Sequence, residues 1–246
     1  MLQPALSDPG AVSKKKPWYI ENPDSYNTLR REVENIFPEL SFVERVGEVC
    51  IEGDLHILDN SGKVLYRFSI RVKLSEQSPR GLPTVWETGG RIPWERERHM
   101  NPHDGSACIY LPEEFWYENP NGISISEFIR GPLTGFLINQ ILIDKSENHK
   151  WLKGEWDHGE NGIIEFYAEH LGTSEPNNIL RCLTMLRKKD TKEIKGHWLC
   201  PCGSGHKLRD CHRLNINELH KRIPSEVTEA SHTKLKRAVQ ELRNSH

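Results

Sequence analysis

The sequence predicts an α+β fold, because helical and strand-like patterns fill separate stretches of the chain. Residues 23–40 repeat apolar side chains at helical spacing, residues 47–74 are rich in β-branched and aromatic residues, and helical patterns dominate from residue 124 onward. Strands that are grouped together, rather than alternating with helices, are typical of α+β proteins. The 246 residues can form one large domain or a medium domain with an appendage.

The first predicted helix lies in PDSYNTLRREVENIFPEL, residues 23–40. Asp24 or Ser25 can cap its N-terminus, and Pro38 ends it. One face of this helix carries an apolar or aromatic residue at i, i+3, i+7 and i+10, namely Tyr26, Leu29, Val33 and Ile36.

Antiparallel strands are predicted next. The segments VCIEGDLHIL and KVLYRFSIRVKL flank the turn signal DNSG, which predicts a β-hairpin within residues 47–74. A third strand is expected in LPTVWET, with Pro79 and Pro83 at its edges. Residues 89–122 look irregular, and a structureless stretch of this length inside a domain is usually functional.

Helices come after this irregular stretch. SISEFIRGPLTGFLINQILID predicts a buried helix with Pro132 in its first turn, and its apolar face comprises Phe128, Leu133, Phe136, Leu137, Ile141 and Leu142. GIIEFYAEHLG and NNILRCLTMLRKK predict two more helices, the first closed by Gly172. A last helix is expected at about residues 225–243.

Composition and charge narrow the class of protein. Seven tryptophans argue against disorder, and a net charge of −2 gives no strong bias toward nucleic acid or membranes. Residues 195–246 hold ten Lys/Arg and five Asp/Glu, so this part carries about +5 and could contact an acidic partner or form a solvated helical surface. No apolar run reaches the ~18–20 residues of a membrane span. The N-terminus lacks a signal core, so we expect a cytoplasmic protein with a flexible arm at residues 1–23.

The cysteines divide into three kinds. Cys50 and Cys182 lie among apolar residues and are interpreted as core thiols. In CPCGSGHKLRDCH, three thiols and an imidazole suit tetrahedral zinc with no position left for substrate, although unliganded thiols or a disulfide are alternatives. The chain must bend sharply for the second pair, which is adjacent in sequence, to reach the same ion. The predicted ligands are Cys200, Cys202, Cys211 and His212. This stretch resembles the SEC-C motif, the zinc-binding knuckle at the C-terminus of the bacterial secretion ATPase.

Cys108 has features of a reactive thiol, although a lone cysteine is more often a packing residue. It comes directly after the small residues of GSA, and His99 and Asn101 precede it closely enough to fold back over it. An asparagine amide can donate to a developing oxyanion, and a histidine can orient the loop or perturb the pKa of the thiol. Glu113 and Glu114 could bind an incoming amine, but we expect them to be exposed loop carboxylates. The acidic stretch EWDHGENG (155–162) could be a second metal or partner site, or a polar loop that caps a helix.

The order of these elements resembles the ubiquitin-conjugating (UBC) fold: an N-terminal helix, an antiparallel meander, a long loop with His-x-Asn, a cysteine and a crossover helix. His99-Met100-Asn101 stands where the family has His-Pro-Asn, and GSACI where it has its cysteine stretch. Met100 replaces the proline, and the loop is one residue shorter. The resemblance covers about residues 24–170. We therefore divide the chain into a UBC-like domain with C-terminal helices (24–190), the SEC-C motif (195–215) and a final helix (216–246).

The resemblance implies that Cys108 carries the C-terminal acyl group of a partner protein as a thioester and passes it to a lysine, with Asn101 donating to the oxyanion and His99 holding the loop. Bacterial members of this fold occur in CBASS and ubiquitin-like antiphage operons, which implies a ubiquitin-like protein or a cGAS/DncV-like nucleotidyltransferase as donor. No G-x-G-x-x-G adenylation motif is present, so activation must come from a partner. The alternatives are a non-catalytic UBC-like adaptor with the zinc motif as docking element, and a cysteine hydrolase.

Overall fold

A computed structural model describes residues 17–45, 47–76, 81–146 and 159–244. The predicted α+β class is confirmed, with a four-stranded antiparallel sheet followed by helices. Most of the predicted N-terminal arm lies outside the described residues. The part that is described contains a short helix, α1 (Trp18–Glu21). The rings of Trp18 and Tyr19 pack against Tyr26, with centroid separations of 5.8 and 5.9 Å.

The N-terminal helix and the meander form where the sequence predicts them. Helix α2 (Pro23–Ile36) begins with proline in its first turn, which costs no hydrogen bond there. Its N-cap is Asn22 rather than Asp24 or Ser25, so the predicted cap was wrong by two residues or more. The strands are β1 (Leu40–Arg45), β2 (Glu48–Leu58), β3 (Val64–Lys73) and β4 (Thr84–Glu87), each hydrogen-bonded to the next.

The turn between β2 and β3 is closed by Asp59, the first residue of the DNSG signal. Its Oδ1 accepts the backbone N–H groups of Ser61 and Lys63 at 2.8 and 3.0 Å, which fixes the hairpin register. The Ser61 hydroxyl donates to the same oxygen at 2.6 Å, and this bond, together with the two backbone bonds, lowers the pKa of the Asp59 carboxyl. The hairpin prediction is therefore confirmed together with its local cause.

The crossover segment is helical from residue 125 to residue 145, in three parts. Helix α4 (Ile125–Phe128) has a capping box between Ser124 and Glu127, a π-helical turn spans Ile129–Leu133, and α5 runs over Thr134–Lys145. Pro132 lies inside the π turn and not in a first turn, because the helical segment already begins at Ile125, about two turns before it. Proline lacks the N–H that a regular helix would use, and the wider turn accommodates that loss.

Five of the six residues predicted for the apolar face of this segment are buried: Phe128, Leu133, Phe136, Leu137 and Ile141. Leu142 was assigned to the same face wrongly, since 38% of its surface is exposed. Within α5, Leu142 lies about 100° around the helix axis from Ile141 and about 140° from Leu137, so it points away from the buried stripe. This face packs on the sheet and forms the first apolar core.

A second apolar core is built by the later helices. Helices α6 (Glu160–Leu171), α7 (Pro176–Leu186), α8 (Arg213–Arg222) and α9 (Ser225–Asn244) enclose it with the Cys/His segment. Gly172 closes α6 with φ 63°, as the sequence predicts. Helix α3 (Pro112–Glu118) packs against α6, α8 and α9, and it lies in a stretch that we expected to be irregular. The domain boundaries inferred from the sequence stay a prediction.

None of the helices in the described ranges combines the length and the apolar character that crossing a bilayer requires.

Candidate thiol site and metal centre

Cys108 lies on a short extended segment that continues the sheet beyond β4. Ser106 pairs with Trp86 in an antiparallel bridge, and the Ala107 N–H donates to Val85 O at 2.8 Å. On the other side of the same segment, Met100 pairs with Ala107. The cysteine is therefore held between two lengths of backbone, and its side chain is exposed.

His99 fixes the backbone of Cys108 through its own backbone. A 3-10 turn (Arg96–Arg98) ends at His99, which has the left-handed conformation with φ 51°. Its carbonyl accepts the Cys108 N–H at 2.7 Å, and its side chain is buried, with 9% of the residue exposed. A non-glycine residue with positive φ is uncommon and often occurs where function constrains the backbone.

Asn101 begins a closed loop that leads to the cysteine. Its backbone N–H donates to Ser106 O and its carbonyl accepts the Gly105 N–H, both at 2.8 Å. The side-chain Oδ1 accepts the His103 N–H at 3.1 Å, which holds the amide in the loop. This bond uses the oxygen of the amide and does not involve the two hydrogens on Nδ2. His99, Asn101 and Cys108 are thus brought into one small hairpin.

The tip of this hairpin is stabilised by Asp104 and Gly105. Asp104 Oδ1 accepts from the N–H and the hydroxyl of Ser106 at 2.9 and 2.7 Å, and these bonds lower the pKa of the Asp104 carboxyl. Gly105 has φ 68°, and a Cβ at this position would overlap the Trp94 ring, so glycine is required there. Trp86 Nε1 donates to Asp104 O at 3.0 Å and ties the tip to β4.

The residue after His99 is part of the core. Met100 is 1% exposed and packs in the first apolar cluster. A side chain at this position therefore contributes to anchoring the loop on the sheet. Two residues beyond the thiol, the hydroxyl of Tyr110 donates to Pro83 O at 2.7 Å, and burial raises the pKa of the Tyr110 phenol.

Sequence reasoning missed the contact that ties this loop to α5. Arg98 Nε donates to Gln140 Oε1 and Gln140 Nε2 donates back to Arg98 O, both at 2.7 Å. Arg98 also pairs with Asp144 at 2.7 Å. Gln140 is 1% exposed. A glutamine within an apolar helix stripe needs a partner, so its presence in GFLINQIL was the available signal.

The other two non-cluster thiols are core residues, as predicted. Cys50 and Cys182 are 1% and 0% exposed, and burial raises the pKa of each thiol. Cys108 differs from both in being exposed. Of these three thiols, only Cys108 is open to a reactant.

Glu113 is not the exposed loop carboxylate that we expected. It lies on α3, is 1% exposed, and accepts a hydrogen bond from the Ser231 hydroxyl of α9. Burial raises the pKa of its carboxyl. The error arose because α3 was not predicted. Of the acidic stretch 155–162, residues 155–158 lie outside the described part of the chain, and Glu160 begins α6.

The predicted metal ligands converge on one point. The ligand atoms of Cys200, Cys202, Cys211 and His212 all lie within 4.8 Å of one another. Cys202 Sγ and Cys211 Sγ are 3.7 Å apart, and His212 Nδ1 lies 3.3 Å from Cys200 Sγ and 3.1 Å from Cys211 Sγ. Tetrahedral zinc, with Zn–S bonds of ~2.3 Å and a Zn–N bond of ~2.0 Å, separates two sulfurs by ~3.8 Å and a sulfur from a nitrogen by ~3.5 Å. The four residues fit such an ion.

Local backbone geometry explains how these side chains meet. Leu199 pairs with Lys207, and the Cys200 N–H donates to His206 O at 2.9 Å, so the segment forms a narrow loop. Gly203 and Gly205 make its turn with φ 81° and 78°. A 3-10 turn then ends at Cys211, whose φ −137° and ψ −106° produce the bend that lets adjacent residues face one ion.

The thiols of this cluster differ in pKa. Burial raises the pKa of Cys200 to about 11. For Cys202 burial alone would raise the pKa, but hydrogen bonds from Ser204 and the neighbouring thiols lower it to about 6. Metal binding requires thiolates, so a bound cation would favour the charged form at both positions.

A family model described as the SEC-C motif matches residues 199–214, which contain all four residues of this cluster. No curated protein and no solved structure matches the chain. The match and the geometry together show a Cys/His cluster that could bind a metal, for which zinc is the typical ion.

Proposed function

We propose that this protein is a UBC-like acyl carrier whose Cys108 forms a thioester with the C-terminus of a partner protein and passes the acyl group to a lysine. The observation that carries the proposal is the exposed position of Cys108 on a backbone segment held from both sides. A thiol in such a place can accept a bulky acyl group without disturbing a core. The active-site assignment is Cys108 as nucleophile, Asn101 as oxyanion donor and His99 as positioning residue.

The element order supports the UBC-like assignment. The chain has the elements in the order that the family has them: a helix, a four-stranded antiparallel meander, a loop containing His-x-Asn, a cysteine and a crossover helix. The replacement of proline by Met100 is compatible with this assignment, because that side chain is buried in the core beneath the loop.

In the first step the Cys108 thiolate attacks the carbonyl of an activated C-terminus. The carbon–sulfur bond forms, and the bond to the activating group breaks, so that group departs with the electron pair. The activated form is an acyl adenylate or a thioester supplied by a separate enzyme. In the second step a lysine amine attacks the thioester carbonyl, an isopeptide bond forms, the thiolate leaves, and the amine loses one proton to water or a base.

Both steps pass through a tetrahedral oxyanion. Because Asn101 Oδ1 is engaged by the His103 N–H, the Nδ2 hydrogens are the part of the amide that can donate to this charge. A positioned donor of this kind is typically worth a few kcal/mol. His99 acts through its backbone, whose bond to the Cys108 N–H holds the thiol in place.

For the second site we propose structural zinc. Cys200, Cys202, Cys211 and His212 would be its ligands, and a closed set of four protein ligands leaves no position for a substrate. Helices α7 and α8 and the cluster share one apolar core, so the ion would stabilise that core. The acyl donor we propose is a ubiquitin-like protein or a cGAS/DncV-like nucleotidyltransferase of a bacterial antiphage system, acting in the cytoplasm.

Transfer from a synthetic peptide thioester tests the proposal without knowledge of the partner. The purified protein is mixed with a peptide ending in a glycine thioester, and intact mass is measured with and without a thiol reductant. The proposal predicts one added peptide per chain, removed by the reductant and located on Cys108. Cys108→Ser should give no reducible adduct, while Cys50 and Cys182 remain unmodified as internal controls. Equal labelling of all cysteines, or none, would favour the non-catalytic adaptor instead.

A further inference from the structure

Helix α7 has an outward face that α9 contacts along its edge and that stays exposed at Arg181 and Thr184. Its inward residues are buried, namely Ile179, Cys182, Leu183 and Leu186. On the opposite side, Asn177, Arg181 and Thr184 recur at intervals of four and three and share one face, and Lys188, two residues after the end of α7, continues this stripe in the same cleft as Arg181 and Thr184. That stripe is about 17 Å long, which is the length of about five residues of an extended peptide.

Two clefts meet along this stripe. One, of about 570 Å³, lies between the first half of α7 and the end of α9, where Arg243 donates to Asn177 Oδ1 at 3.0 Å. The other, of about 530 Å³, lies between the second half of α7 and the start of the Cys/His segment. Both are lined by Arg181 and Thr184, so they form one continuous groove, which we call the α7 groove.

One end of the α7 groove is apolar. Met185, Trp198 and Pro201 line it, and Leu199 stands at its rim with 67% of its surface exposed. An apolar side chain of this size at the mouth of a cleft offers a contact for an apolar anchor. Three of the residues that line this cleft, Leu199, Cys200 and Pro201, belong to the matched motif, and α7 contributes Arg181, Thr184 and Met185.

The charge of the surroundings favours an acidic occupant. Residues 181–213 contain nine Lys/Arg and three Asp/Glu, so 9 − 3 gives +6, whereas the whole chain carries −2. Arg187 is paired with Glu229 and is not part of the groove. Arg181 and Lys188 lie in the groove itself, and in the described part of the chain neither forms an ion pair with a carboxylate.

We propose that the α7 groove binds an acidic peptide segment of a partner protein, with carboxylates at Arg181 and Lys188 and one apolar side chain against Leu199 and Met185. The inference goes beyond the proposed thioester chemistry, because the groove is built from the second apolar core and contains none of the Cys108 loop. It provides a second attachment point that can hold a partner while the thiol reacts.

Fluorescence polarisation with synthetic peptides tests this binding. The probe is a fluorescein-labelled peptide of about ten residues in which glutamates flank a Leu-Trp pair, a length that covers the groove with a margin at each end. We expect saturable binding that weakens as salt is raised. The double change Arg181→Glu and Lys188→Glu should weaken binding about tenfold or more, and Leu199→Ser should weaken it by a smaller factor. Lys63→Glu, which makes the same kind of charge change in the β2–β3 hairpin, should have no effect.

Matched probes and checks make the result decisive. A peptide with lysine in place of each glutamate should not bind, and one with serine in place of Leu-Trp should bind more weakly. Far-ultraviolet circular dichroism and metal content confirm that each variant is folded. The inference is overturned by the absence of saturable binding, by binding that the groove variants leave unchanged, or by tighter binding of a labelled single-stranded DNA oligonucleotide at the same ionic strength. Cys108→Ser should bind the peptide normally, so failure of the thioester proposal is seen separately.

Discussion

At the scale of single residues, the candidate thiol site depends on the exposure of one sulfur and on the hydrogen bonds of the two residues near it. Cys108 offers an exposed sulfur, and Asn101 offers an amide whose oxygen is already engaged and whose nitrogen can donate. His99 contributes the carbonyl that accepts the Cys108 N–H and a left-handed backbone conformation. These three roles can be separated by substitutions that keep the loop intact.

Asn101→Asp is the sharpest test of the oxyanion role. Aspartate keeps an acceptor for the His103 N–H, so the loop should fold as before, but an ionised carboxylate cannot donate. We expect the rate of acyl transfer to lysine to fall about 10²–10³-fold. The rate at which iodoacetamide alkylates Cys108 should stay close to wild type. A variant that transfers at the normal rate would remove Asn101 from the mechanism.

Glu113 makes the stability of the protein depend on pH. Its pKa is raised in the folded state by burial, so the proton binds more tightly there than in the unfolded chain. The stabilisation is complete below the unfolded pKa of ~4.3 and is lost as pH rises through the higher folded pKa. Urea unfolding should show this decline for wild type and a flatter dependence for Glu113→Gln, which keeps a neutral side chain. Identical slopes for the two proteins would contradict the assignment.

At the scale of elements, the position of the thiol loop depends on a contact across 42 residues of sequence. The pair formed by Arg98 and Gln140 joins the turn before His99 to α5. The Arg98 side chain donates to the Gln140 side chain, which donates in turn to the Arg98 carbonyl. The position of the loop is therefore tied to the helix, and the helix is held by the sheet core. A substitution at Gln140 should therefore change the position of the loop that carries Cys108.

Gln140→Leu is expected to destabilise the protein and to slow acyl transfer together. The change leaves Arg98 Nε and the Arg98 carbonyl without their buried partner, which costs about 1–3 kcal/mol for each unsatisfied group, while the pair with Asp144 is kept. Urea unfolding and transfer from the peptide thioester measure the two effects. Arg30→Met, which breaks the exposed pair with Glu34, serves as control and should leave stability close to wild type. A stable Gln140→Leu with normal transfer would show that the clamp does not position the loop.

The sequence was informative about elements whose signals are local. The DNSG turn, Gly172 and the Cys/His spacing each determine structure within a few residues, and each prediction was confirmed. Leu142 was assigned to the buried face because it is apolar, although its helical spacing from Leu137 and Ile141 places it on another side of α5. The partners of Glu113 and Gln140 lie far away in sequence, so their burial could not be predicted without the packing of α3 and α5.

At the scale of the whole molecule, the buried apolar residues form two clusters, each built from a different set of strands and helices. One is built on the sheet with α2, α4 and α5, and the other is built by α6 to α9 with the Cys/His segment. The candidate thiol site belongs to the first and the candidate metal centre to the second. The proposed acyl transfer and the proposed peptide binding can therefore be tested by separate substitutions.

Removal of the metal should loosen only the second cluster. Cys200 and Leu208 are buried in that cluster, so a loop that loses its ion exposes part of the core beneath α7 and α8. After treatment with a strong chelator, hydrogen exchange measured by mass spectrometry should accelerate in residues 199–223. Exchange in β2 and β3 should be unchanged. Uniform acceleration would mean that the two clusters unfold together, and no acceleration would argue against a structural ion.

The most direct test of the central claim is the fate of an isolated Cys108 adduct. The protein carrying one peptide thioester is separated from free peptide and divided between buffer with lysine and buffer without it, and intact masses are measured over time. A carrier predicts slow loss in buffer alone and rapid loss with lysine, with the peptide recovered as a lysine amide. Failure to form the adduct, or loss at the same rate in both buffers with only free acid recovered, would contradict the carrier account.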